Sequence, residues 1–222
     1  MDFKMYEVRS DRDSILTNPP ILKAYECPIQ AGCSIAKTRM NILADNIGEN
    51  ISEKNRQYCE MTAVYWIWKN RKHDYVGIEH YRRHLLVTKD LLKENMDVIM
   101  PLPYMCYPNE KTQFLRFVSE DVLSALLDSL RKIHPQRYDT FVDILNGQYQ
   151  YTYNMLCAKW DVFCDYCEWF FEISEYMENI GDYIPDIKNT RALSYVAEVL
   201  TNLYFMSHKN LNILHVGKEI YI

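Results

Sequence analysis

Residues 75 to 103 constrain this chain more than any other stretch. "YVGIEHYRRHLL" and "DVIMPLP" are apolar, strand-length runs, and the "VTKDLLKEN" between them leaves room for only a short helix. Strand, helix, strand predicts parallel strands in a sheet covered on both faces. The opening "DFKMYEVRSD" reads as a further strand, followed by a short one at Asn41 to Ala44 and a polar, turn-rich segment.

Helical spacing dominates the rest. Met61, Val64, Tyr65 and Trp68 recur at i, i+3, i+4 and i+7, which predicts a helix from about Asn55 to Asn70, buried nearly all round. Ser119 can cap a second helix with Val122, Ala125, Leu126, Leu130 and Ile133 facing inward and Pro135 after its end. "RYDTFVDILNG" predicts a third, residues 159 to 178 a long fourth, and "TRALSYVAEVLTNLYFM" a fifth before a short final strand. The expectation is an α/β fold: one domain over residues 1–222, with a mixed, mostly parallel central sheet flanked by helices and a helix-rich C-terminal half.

Charge narrows the function. A formal net charge of −5 over 222 residues does not suit a protein that coats nucleic acid, so any anion site must be local. The seven cysteines are scattered, and Cys164 and Cys167 form a lone C-x-x-C inside a helical pattern, which predicts reduced, mostly buried thiols. The N-terminus lacks signal-peptide character and no apolar run reaches spanning length, so the expected location is cytoplasmic, with peripheral association at the inner face of a membrane left open.

Three places can carry chemistry. Read as extended, residues 75 to 83 put His80 and Arg82 on one side and Glu79, Tyr81 and Arg83 on the other. Arginine forks match phosphate oxygens, and ligands in open α/β sheets bind at the carboxyl ends of strands, so a diphosphate is the natural guest. Pairing of Arg82 and Arg83 with Glu79 or Glu60 is the structural alternative. The second place is "DNIGENISEKN", whose Asp45, Asn46, Asn50, Lys54 and Asn55 suit a nucleotide or, equally, plain turn and capping chemistry. The third is Glu198, an acid among Val196, Ala197, Val199 and Leu200: either a base of raised pKa or a helix-surface glutamate.

Taken together, "NISEKNRQYCEMTAVYWIWKN", "YVGIEHYRRHL", "YTYNMLCAKWDVFCDYCEWFFEI" and "TRALSYVAEVL" resemble the HYRR-containing bacterial glycosyltransferases of capsule and exopolysaccharide synthesis, long catalogued as a domain of unknown function. The resemblance covers roughly residues 25 to 206. It implies a GT-A-like fold and a transferase that moves a sugar from a nucleotide donor, a UDP-sugar by preference, to a growing glycan or lipid-linked glycan.

The resemblance singles out His80, Tyr81, Arg82, Arg83, Asn154, Arg191 and Glu198; side-chain chemistry then makes Arg191 and Glu198 the catalytic candidates, His80, Arg82 and Arg83 the donor-diphosphate binders, and Tyr81, Tyr153 and Asn154 the sugar binders. Such folds often hold Mn2+ or Mg2+ at an Asp-x-Asp; "EHYRR" stands there instead, so cations can neutralise the leaving group without a metal, or Glu79 and His80 can bind one. The family tends to carry a His-Lys pair in its first strand, where "YEVRSDRD" here has Arg9 and Arg12. The competing expectation is a non-catalytic glycan- or nucleotide-binding module, with Tyr149, Tyr151, Tyr153 and Trp169 stacking on sugars. A phosphoryl-transfer enzyme ranks last, since there is no Gly-rich phosphate loop.

Overall fold

The computed structural model describes residues 1–181 and 184–222. Strands β1 (Phe3–Arg9), β2 (Glu26–Gln30), β3 (Leu43–Ala44), β4 (Tyr75–His80), β5 (Arg83–Leu85) and β6 (Val98–Pro101) precede a small hairpin of β7 (Tyr104–Met105) and β8 (Tyr149–Gln150). Strands β9 (Leu156–Lys159), β10 (Ile213–Val216) and β11 (Lys218–Ile220) follow. The main sheet runs β10-β6-β9-β4-β1-β2-β3; β9 is antiparallel to both neighbours and the other pairs on this path are parallel. The mixed, mostly parallel sheet flanked by helices is as expected from the sequence.

Alternation along the strands sorts the two faces. Tyr6, Val8, Val76, Ile78, Val98, Met100, Leu156 and Ala158 all enter the larger core, packed under helices. Their neighbours Phe3, Met5, Tyr75, Ile99 and Cys157 enter a smaller core on the other face, closed by Leu85, Val87 and Leu92. Gly77 lies on this second face because a Cβ there would fall 2.0 Å from the Met5 sulfur and 3.2 Å from the Leu156 carbonyl oxygen.

The helices on the larger core are α1 (Asn55–Tyr58), α2 (Met61–Asn70), α3 (Glu110–Phe114), α4 (Glu120–Ile133), α5 (Tyr138–Leu145), α6 (Trp160–Ile180), α7 (Pro185–Asn189) and α8 (Ala192–Ser207). In α6, Phe163, Tyr166, Cys167, Phe170, Ile173, Ser174 and Met177 are buried at helical spacing, so Cys167 is a core residue; it and Cys164 are both free thiols. Ser119 occupies the N-cap of α4 but its hydroxyl makes no capping bond. None of the described helices is long and apolar enough to cross a membrane.

Three expectations change. The helix expected from about Asn55 to Asn70 is broken at Cys59, whose φ is 48°, into α1 and α2. "VTKDLLKEN" forms only a single 3-10 turn at Lys89–Leu91, and β4 and β6, though parallel, do not pair: β9 lies between them. A crossover to an adjacent parallel strand is usually carried by a helix packed on the sheet, and this connection forms β5 and one 3-10 turn instead. The run "YVGIEHYRRHLL" is also not one strand. It folds back at Tyr81 and Arg82, so that Arg83 pairs with His80 and β5 runs antiparallel to β4. Extended alternation therefore stops at His80.

Candidate functional site at the end of β4

That reversal assembles the site. Strands β1 and β4 are parallel with Val8 opposite His80, so both end at the same edge of the sheet. The Tyr81 backbone N-H donates to the Val8 carbonyl at 3.2 Å, fixing the turn against β1. His80, Tyr81, Arg82 and Arg83 then all line one cavity of about 420 Å³, with Arg9, Ser10, Arg12 and Asp13 from the segment after β1. Asn55, Cys59 and Glu60 form a wall, and Tyr153, Arg191 and Glu198 close it.

The cations here are mostly free of protein acids. Among the described residues the Arg82 and Arg83 guanidinium groups have no ion pair or hydrogen bond; Arg83 instead lies 4.1 Å from the centre of the Tyr153 ring. Arg9 is held by Glu7 at 2.6 Å, from the buried side of the strand. His80 Nε2 donates to the Tyr153 carbonyl at 2.6 Å, since a carbonyl can only accept, which leaves Nδ1 for a ligand. The alternative of Arg82 or Arg83 bridging to Glu79 or Glu60 is not what the chain adopts.

Glu198 resolves its two readings. It is half-buried on α8, and burial first, then the charge of Glu60, pushes its pKa up to about 7, against the lowering effects of a Tyr153 backbone hydrogen bond and of Arg191 and Arg83. Asp13 is likewise raised to about 6 by burial, opposed by its hydrogen bond from Ser10 and by Arg9 and Arg82. Backbone strain gathers at the same wall. Cys59, just before Glu60, has φ 48°, and Tyr153 and Asn154 have φ 72° and 50°. The strained Asn154 is buried; it donates to Glu60 at 2.9 Å and accepts from Thr201 at 2.9 Å, so it positions Glu60 and does not face a ligand.

The segment from Asp45 to Asn55 behaves differently. Asp45 is fully buried and its carboxylate accepts four hydrogen bonds, from the Gly32 and Cys33 backbone N-H groups and the Ser52 and Thr62 hydroxyls, all within 2.9 Å. Asn46 accepts from Arg39, Asn50 bonds the Gly48 carbonyl and the Ser52 N-H, and Lys54 pairs with Glu178 at 2.8 Å. Of the five nucleotide-binding candidates only Asn55 reaches the cavity wall, and its amide donates to Cys59 and Thr62.

A second cavity of about 550 Å³ shares Arg82, Arg83, Tyr153 and Glu198 with the first. Its own walls are aromatic and amide: Tyr104, Phe117 and Tyr195, with Gln113 and Gln150. Phe117 and Tyr195 stack at 4.9 Å and 16°, and Phe117 is 52% exposed. Of the aromatics expected to stack on sugar, Tyr153 is at the shared wall, Tyr149 is exposed on the β7/β8 hairpin, and Tyr151 and Trp169 are buried in the core.

Glu79 and His80 do not face each other. Glu79 points to the smaller core, and the described His, Cys, Asp and Glu residues whose ligand atoms converge are Glu26, Glu79 and His84, outside the cavity lining. The acids that do line the cavity, Asp13, Glu60 and Glu198, form no such convergent set among the described residues. Arg9, Arg12, Asp13 and Glu60 are the site residues that spacing alone misses. The signal for the first three was available: a charged segment directly after a strand that ends at the same edge as "EHYRR".

Comparison with known proteins agrees with this architecture. A solved structure of a WbbM bifunctional glycosyltransferase superposes with a TM-score of 0.83 over 99% of this chain, at 24% identity. The chain spans about 45% of that protein, so the likeness speaks for the fold. No curated protein matches the sequence. Residues 18–210, most of the chain, match one family model, and the chain therefore belongs to the family described as "Domain of unknown function (DUF4422)".

Proposed function

We propose that the protein is a glycosyltransferase that takes a sugar from a nucleotide-sugar donor, a UDP-sugar by preference, and passes it to a growing surface glycan. The observation that carries this reading is Glu198, a carboxyl with a pKa of about 7, standing at the wall between an arginine-lined cavity and an aromatic one. The glycosyltransferase fold of the WbbM structure and the ordered HYRR-type motifs support it.

The donor diphosphate occupies the first cavity, where Arg82, Arg83 and Arg12 offer guanidinium donors and His80 lines the wall beside them. The acceptor sugar lies in the second, with Phe117 and Tyr195 against its apolar face and Gln113 and Gln150 on its hydroxyls. In the reaction an acceptor hydroxyl oxygen attacks the anomeric carbon, its proton passes to Glu198, and the bond from that carbon to the phosphate oxygen breaks. The electron pair leaves on the nucleoside diphosphate, and the guanidinium groups stabilise the growing negative charge. Arg191 moderates the charge of Glu198 and keeps it ionisable near neutrality.

The test is a thermal-shift panel of nucleoside diphosphates and nucleotide sugars, coupled to donor turnover. A stabilisation selective for UDP species and lost in Arg82→Ala supports the donor assignment. Stabilisation with no donor consumption in the presence of acceptor glycans points to a binding module and overturns the transferase reading.

A further inference from the structure

The second face of the sheet holds a polar cluster that glycosyl transfer does not use. Glu26 on β2, Glu79 on β4 and His84 on β5 are 8%, 0% and 2% exposed, surrounded by an apolar core. Glu26 Oε1 and Glu79 Oε1 each lie 3.7 Å from His84 Nδ1, and the three atoms are within 4.8 Å of one another. The remaining oxygen of each carboxylate is fixed by backbone: Lys23 N-H donates to Glu26 Oε2 at 2.6 Å and Leu85 N-H to Glu79 Oε2 at 3.2 Å.

Two features separate this from an ordinary hydrogen-bonded knot. Glu79 Oε1 is fully buried, aims at the centre of the cluster and has no hydrogen-bond partner. Leaving such an oxygen bare is costly. The 3.7 Å separations are also too long for hydrogen bonds. They approach the spacing of two ligands bound to one ion, roughly 3.0–3.6 Å when each sits about 2.1 Å from it. The surrounding charge is mostly negative. Glu7 Oε2 is buried without a partner nearby, and among the described residues the cation paired with the cluster is Lys23, 3.6 Å from Glu26 and 43% exposed. Tyr221 covers the imidazole edge-on at 5.2 Å.

We propose that Glu26 Oε1, Glu79 Oε1 and His84 Nδ1 bind one divalent transition-metal ion, Zn2+ foremost, as a structural clasp across β2, β4 and β5. One imidazole with two carboxylates and no thiolate is a donor set that Zn2+ accepts. The clasp ties down the hairpin whose turn presents His80 to Arg83, so it acts on the site only through that hairpin's order.

Metal-stripped protein reloaded with Zn2+ is expected to retain one ion per chain by mass spectrometry, with Tm raised by about 5 °C or more at a hundredfold excess over Kd. Glu79→Gln and Glu26→Gln are expected to weaken binding at least about tenfold and remove the Tm rise. The free thiols are competing ligands, and Co2+ substitution of the wild-type chain tells them apart even if a variant fails to fold. Visible ligand-field bands with no thiolate-to-cobalt charge transfer support the proposal. Thiolate charge transfer, retention unchanged in Glu79→Gln, or no retained ion overturns it.

Discussion

The segment Asp45 to Asn55 and the turn His80 to Arg83 are both dense in polar groups, and the structure uses them in opposite ways. In the first, Asp45 lies at the centre of four hydrogen bonds from its own chain, and its neighbours close turns or pair across to α6. In the second, two guanidinium groups face a cavity and, among the described residues, make no ion pair or hydrogen bond. Polar side chains satisfied internally hold a fold; those left unsatisfied at an opening are available to a ligand. Stability and activity should therefore separate between the two regions.

The largest expected effect falls on the first. Asp45→Ala removes the acceptor for two backbone N-H groups and two hydroxyls in a dry interior, and should cost about 3–5 kcal/mol in urea unfolding, or prevent folding. Glu198→Gln is the counterpart at the cavity. Turnover should fall by about 10²–10⁴ while the fold survives, measured as kcat/KM with donor and acceptor. On the proposed transfer, with Glu198 as base, the parent chain's kcat/KM should rise as pH passes through about 7, and the variant's residual rate should lack that step.

Glu198 also predicts a stability signature of the opposite sign. Its pKa is raised from 4.5 to about 7 on folding, so the folded state holds the extra proton between those values and loses stability as pH rises through that window. Glu198→Gln should match the parent near pH 4 and exceed it at pH 8 by about 1–3 kcal/mol in denaturant midpoints. Equal pH profiles for the two chains would show that the carboxyl is not held in a proton-retaining environment. A residue whose removal stabilises the protein and destroys turnover belongs to the second region's logic and not the first's.

Much of this was legible in the sequence where a period or a stop signal was at work. The helix ending at Asn70, the long helix from Trp160 and the buried strands β4 and β6 follow from spacing alone. The reversal at Tyr81 and Arg82 was not legible, because no Gly, Pro or Asn marks it; it is fixed by tertiary pairing with β1 and β11. Arg9 and Arg12 stood out as a charged segment after a strand, but their place beside His80 depends on β1 and β4 ending together. Asp45 was misleading for a chemical reason: a buried carboxylate that anchors N-H groups and one that meets a nucleotide have the same sequence neighbours. Glu198 gave the reverse ambiguity: its burial and the proximity of Glu60, Arg83 and Arg191, which raise its pKa on balance, exist only in the folded chain.

Arg83→Ala comes next in size. It touches no acid, so unfolding free energy should change by no more than about 0.5 kcal/mol plus the lost cation-π contact with Tyr153, while donor affinity falls at least about tenfold. Isothermal titration with UDP reads the second quantity directly, and unchanged affinity removes Arg83 from the diphosphate site.

The smallest expected effect is the sharpest discriminator. Asn50 bonds only within its own loop, to the Gly48 carbonyl and the Ser52 N-H, so Asn50→Ala should cost about 1 kcal/mol or less and leave UDP affinity unchanged. If that variant instead weakens UDP binding tenfold with no loss of stability, the loop reaches the donor. The line between satisfied and unsatisfied polar groups then fails as a guide to this site.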